Sequence, residues 1–93
     1  MKRRRAKPPE IAVALHYDGD SAPRVTAKGR GVVAEEILNV AARHRVPVRE
    51  SPQLATVLAT IDLGNEIPIA LYRAVAEVIA FAYMLKNKVP PPR

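Results

Sequence analysis

Residues 11–29 read IAVALHYDGDSAPRVTAKG, and this run decides the fold. Ile11, Val13, Leu15 and Tyr17 alternate with Ala12, Ala14 and His16, the period of two that marks a strand. One face is bulky and the other is floored with alanine, so a helix can lie close against it. Asp18-Gly19-Asp20-Ser21 is turn chemistry and Pro23 ends the loop. Arg24 to Lys28 reads as a second strand, Val25 and Ala27 inward and Thr26 outward, which predicts an antiparallel hairpin.

Working outward, Gly29 and Gly31 break the strand pattern and a helix follows to about Arg45. Val33, Ile37, Val40, Ala41 and His44 recur at helical spacing. Glu35 and Glu36 sit in its early turns and Arg43, His44 and Arg45 in its last, as the helix dipole favours. Val46 to Glu50 reads as a short strand, parallel to the second through a right-handed crossover. Ser51 then stands as N-cap and Pro52 at the first position of a helix carrying Leu54, Val57, Leu58 and Ile61 and stopping near Gly64-Asn65. A last helix is expected from about Glu66 to Asn87, with Pro68 in its first turn. It carries two apolar stripes. Leu71, Val75, Val78, Ala82 and Leu85 form one, and Tyr72, Ala76, Ile79 and Tyr83 form the other. The second stripe requires a neighbour, either the 52–62 helix or another molecule.

The expected fold is a small single α/β domain, β-β-α-β-α-α, with a mixed sheet of about three to four strands covered by helices. The domain occupies residues 11–88, between a basic, proline-containing tail at 1–10 and a proline-rich tail at 89–93. Apolar residues make up 48% of the 93 and charged residues 26%, enough for one core and too apolar for a disordered chain. No cysteine is present, which excludes disulfides and thiolate metal sites. No stretch reaches the roughly 18 apolar residues of a membrane span.

Lys2, Arg3, Arg4, Arg5 and Lys7 carry five of the six net positive charges, so the body of the chain is nearly neutral. A tail of this kind is a solvated terminus first. It also suits an anionic membrane surface, RNA or an acidic protein, and a nucleic-acid-binding accessory acting through the tail is the rival function. His16 and His44 lie on different elements, and Asp18 with Asp20 lacks the length of a calcium loop. Lys28-Gly29-Arg30-Gly31 departs from the phosphate-loop spacing. No catalytic constellation, metal site or cofactor is expected.

Four stretches, AVALHYD, APRVTAKG, VPVRESPQLA and IPIALYRAVAEVIAFAYMLK, occur in the order and at close to the spacing of a known family. From Ile11 to Lys86 the chain resembles the cytoplasmic C-terminal domain of the FlhB/YscU-type export switch proteins of flagellar and type III secretion systems. In that family an Asn-Pro-Thr-His segment cleaves itself when the asparagine carboxamide attacks its own carbonyl. Lys7, Pro8, Pro9 and Glu10 stand at those positions here, and Asn39, Asn65 and Asn87 do not precede proline. The resemblance therefore implies a free-standing short relative, like the C-terminal cleavage fragment but not self-cleaving. It implies no enzyme activity and a place in substrate-specificity switching at the inner face of the membrane.

The implied partners are export-gate proteins, export substrates and the N-terminal fragment of a full-length relative. The family's apolar patch for early substrates corresponds to Ala22, Pro23, Ala76 and Ile79. Thr56 and Ala59 replace an arginine and a tyrosine usual in the family.

Overall fold

The computed structural model describes residues 10–88. Residues 1–9 and 89–93 lie outside them, and with them Lys7, Pro8 and Pro9 of the four positions expected to correspond to the family's cleavage segment. Strands β1 (Ile11–His16) and β2 (Arg24–Arg30) are followed by helices α1 (Val32–Arg43), α2 (Pro52–Leu58) and α3 (Tyr72–Lys88), the last entered through a 3-10 turn at Ile69–Leu71. The α/β domain expected from the sequence is present, with fewer strands.

The hairpin forms as expected, with Ile11 opposite Arg30 and His16 opposite Arg24. Its turn is closed by the Asp18 carboxylate, which accepts from the Asp20 N–H at 2.8 Å and the Ser21 N–H at 3.2 Å. These two bonds hold the Asp18 carboxyl below its ordinary pKa. An irregularity between Ala14 and Leu15 leaves Thr26 without an opposite residue. Its hydroxyl donates to the Ala14 carbonyl at 3.3 Å instead.

This bulge corrects the expected facing of β2. Val25 pairs with Leu15 and Ala27 with Ala14, neighbours that alternate on β1, so Val25 and Ala27 lie on opposite faces. Both faces of the sheet are therefore covered. On the alanine face, Ala12 pairs with Gly29, and a Cβ built on Gly29 would collide with the Val33 side chain of α1. That is the close approach the small residues were expected to permit. On the other face Val13 and Leu15 pack against the buried cluster of Leu58, Ile67 and Val75.

The third strand at Val46–Glu50 does not form. α1 ends with Arg45 N–H on the Ala42 carbonyl (3.2 Å) and Val46 N–H on the Ala41 carbonyl (2.8 Å), and Arg45 is left-handed at φ 58°. This is a Schellman cap with arginine in the position glycine favours. Val46 N–H is thus committed to the helix and Pro47 has none, so two successive donors of a ladder are lost.

The outer edge of β2 is met by another segment, read from the sequence as the gap between helices. Gly64 N–H donates to the Val25 carbonyl (2.7 Å), Val25 N–H to the Asn65 carbonyl (3.1 Å) and Ile67 N–H to the Pro23 carbonyl (2.9 Å). Arg24 bridges to Glu66 in backbone and side chain, its guanidinium 3.1 Å from the carboxylate. Glu66 therefore does not begin the last helix. Pro68 is extended, at ψ 157°, and α3 starts at Tyr72.

Ser51 and Pro52 cap α2 as expected, the serine oxygen accepting from Leu54 N–H at 3.3 Å. The helix stops at Leu58, earlier than its apolar pattern suggests. Lys28 reaches across from β2 and donates to the Ala59 carbonyl at 2.9 Å and the Ile61 carbonyl at 2.8 Å. Carbonyls that a longer helix would have used are satisfied by this cation.

Candidate docking surface

α3 and the 3-10 turn that leads into it present three zones. Val75 is fully buried, and Leu71 and Ile79 pack beside it on the Leu58–Ile67–Val75 cluster. One helical step round, Tyr72, Ala76 and Tyr83 are exposed, the tyrosines by 45% and 52%. This is the second apolar stripe of the sequence, and Ile79 forms its inner margin. On the opposite flank, Leu54, Val57, Ala74 and Val78 line an open groove of about 410 Å³ with Glu50 and Glu77 among its polar residues. The Arg49 guanidinium lies over the Phe81 ring, 5.3 Å from its centre.

The four expected patch residues divide by role. Ala76 is exposed, Ala22 and Ile79 are half-buried, and Pro23 is buried. Pro23 is linked to Ile79 only indirectly: its carbonyl accepts from Ile67 N–H, and Ile67 belongs to the cluster on which Ile79 packs. Ile79 thus belongs to core and surface at once, while Pro23 supports from beneath. Tyr72 and Tyr83 add exposed aromatic area that the four-residue patch omits. Their spacing from Ala76 and Ile79 was the available signal.

Among the described residues no group of three or more histidine or carboxylate side chains is placed to hold a metal ion. Asp18 is engaged by its own turn, as noted above. No described helix is long and apolar enough to cross a membrane.

Residues 6–82 match the FlhB HrpN YscU SpaS family. The chain belongs to that family. It is 48% identical over 83 residues to the flagellar biosynthetic protein FlhB of Salmonella typhimurium, covering 86% of this chain and 22% of that protein. The chain therefore spans about a fifth of the length of that relative. The uncharacterized protein YlqH of Bacillus subtilis is 44% identical over 80 residues, with 84% of this chain and 86% of YlqH covered.

Among solved structures, the cytoplasmic domain of FlhB from Shewanella putrefaciens superimposes with a TM-score of 0.77 at 34% identity, covering 88% of this chain and 74% of that one. The PscU C-terminal domain gives 0.70 at 28% identity, covering 80% and 98%. These matches uphold the expected family and the small α/β fold read from the sequence pattern.

Proposed function

We propose that this domain is a non-enzymatic docking module of the flagellar or type III export apparatus. It receives export substrates, or proteins of the export gate, during substrate-specificity switching at the inner face of the membrane. The observation that carries the reading is the uncovered stripe of α3. Tyr72, Ala76 and Tyr83 stay in solvent beside an Ile79 that the core anchors. A rigid apolar surface with aromatic members is what a docking site requires. Lys7 has no carboxamide with which to close a succinimide, so no self-cleavage accompanies this role. The nucleic-acid alternative draws no support from family membership.

Ala76→Asp tests the reading, because Ala76 is exposed and its replacement leaves the buried cluster intact. Calorimetric titration with an early export substrate should show binding to the parent chain. The variant should bind at least about tenfold more weakly, equivalent to 1.4 kcal/mol, with an unchanged melting temperature. Equal affinity in both proteins would remove the stripe as the docking surface. Ile79→Asp is the less clean probe, since a carboxylate there also enters the core and should lower the melting temperature.

A further inference from the structure

Among the described residues β1 has one strand partner, β2, and its other edge has none. Gly31 N–H donates to the Glu10 carbonyl at 3.0 Å, in line with the register that sets Ile11 opposite Arg30. Hydrogen-bonded and non-hydrogen-bonded pairs alternate along an antiparallel ladder. Glu10, Ala12, Ala14 and His16 therefore turn their main-chain groups toward β2, and Ile11, Val13 and Leu15 turn theirs away. Among the described residues no backbone hydrogen bond reaches those outward groups. The outer edge of β2, by contrast, is met by Gly64–Ile67.

Exposed edges are usually guarded by lysine, proline or a bulge. β1 reads IAVALH, with no proline, lysine, arginine or carboxylate, and the bulged residue lies on β2. We propose that a second copy of this chain covers the edge, β1 against β1, antiparallel about a two-fold axis at Val13. Outward groups must meet outward groups. The register that uses all three pairs Ile11 with Leu15, Val13 with Val13 and Leu15 with Ile11. A shift of two residues either way pushes one of the three beyond the strand.

The same register sets Glu10 opposite His16 at both ends, a carboxylate beside an imidazole, and Ala12 opposite Ala14. The shift in one direction would instead oppose Glu10 with Asp18. Any extended segment can satisfy the main chain, but the Glu10–His16 match belongs to this sequence paired with itself, which favours a second copy as the occupant. The product is a four-stranded antiparallel sheet, β2-β1-β1-β2, closed by an isologous contact. It uses an edge, not the α3 stripe, so it stands apart from the proposed docking function.

The test is sedimentation equilibrium of the full chain from micromolar to millimolar concentration, paired with amide exchange. A monomer–dimer equilibrium is expected. Exchange at Ile11, Val13 and Leu15 should slow as dimer forms, while Ala12 and Ala14 stay protected throughout. His16→Glu places carboxylates opposite each other twice and should weaken the dimer several-fold, and adding Glu10→Lys should restore it. Both positions are exposed, so circular dichroism should show the fold kept in each variant. A chain monomeric at millimolar concentration, with fast exchange at the three outward amides, overturns the proposal. So does a dimer indifferent to the charge variants. A peptide from a full-length relative that binds this edge while the chain itself never dimerises also overturns it.

Discussion

Lys28→Met should cost the domain about 2 kcal/mol, through a contact that joins elements far apart in sequence. The ammonium group donates to the Ala59 and Ile61 carbonyls at 2.9 and 2.8 Å, closing the end of α2 from below. A hydrogen bond to a charged group contributes about 1.5–3 kcal/mol, and a cation at a helix C-terminus about 0.3–1 kcal/mol more. Two such bonds and the dipole, counted separately, would exceed about 3 kcal/mol, but Lys28 is half-buried and water rehydrates both carbonyls once the ammonium is gone, which brings the loss down to about 2 kcal/mol. Methionine keeps an unbranched apolar stem, one atom shorter than lysine, and removes the charge and donors. For a domain of this size the loss corresponds to a melting temperature lower by roughly 8–16 °C. Circular dichroism follows the transition in urea and on heating, and the urea slope should stay constant if only stability changes. Arg30→Met, at an exposed position on the same strand, serves as control and should stay within about 0.5 kcal/mol. A Lys28→Met loss no larger than that of the control would show that the cap contributes nothing and that α2 ends for other reasons.

Arg45→Gly should stabilise the domain by about 0.5–1 kcal/mol, since relief of left-handed strain outweighs the extra freedom of glycine in the unfolded chain; the urea midpoint reads it. The Asp18 carboxyl should titrate below its ordinary value, because the Asp20 and Ser21 N–H groups bond its charged form. A depressed folded pKa means this stabilisation is present above the unfolded value and lost as pH falls through the folded one. Carboxyl-carbon NMR should show the low midpoint, and Asp18→Asn should keep the turn while removing that part of the acid dependence.

What the sequence made legible was local. The alternation of Ile11, Val13 and Leu15 found β1, Asp18-Gly19-Asp20 found the turn, and Ser51-Pro52 found the start of α2. Each signal lies within a few residues of the structure it specifies. The misses were contacts made at a distance or through the backbone alone. Val46–Glu50 has strand-like valines, but the helix cap takes Val46 N–H and Pro47 supplies none. Gly64–Ile67 has no strand periodicity, yet its main chain pairs with β2 because the turn after α2 delivers it there. The role of Lys28 depends on where α2 ends, and no spacing within β2 announces that. For the site, helical spacing picked out the Tyr72–Tyr83 stripe. It did not show how far Ile79 turns inward, since that depends on Ile67, which the Pro23 carbonyl positions.

The small core makes that last point consequential for function. Among the described residues its buried hydrophobic side chains, Pro23 apart, are Ala12, Val25, Ala34, Leu58, Ile67 and Val75, two of them alanines. Half-buried side chains such as Val13, Leu15 and Ile79 must supply much of the remaining burial. Ile79 packs inward on Leu58, Ile67 and Val75 and outward borders Ala76 and the two tyrosines, so its packing depends on the integrity of the core. A ligand covering the stripe removes from water the same helix face whose inner side holds the domain together. Binding and folding are then linked, and a ligand that binds only the folded chain raises its stability with concentration. The proposed docking surface therefore rests on the same contacts as the fold, and Pro23, although buried, supports it through the single hydrogen bond that places Ile67.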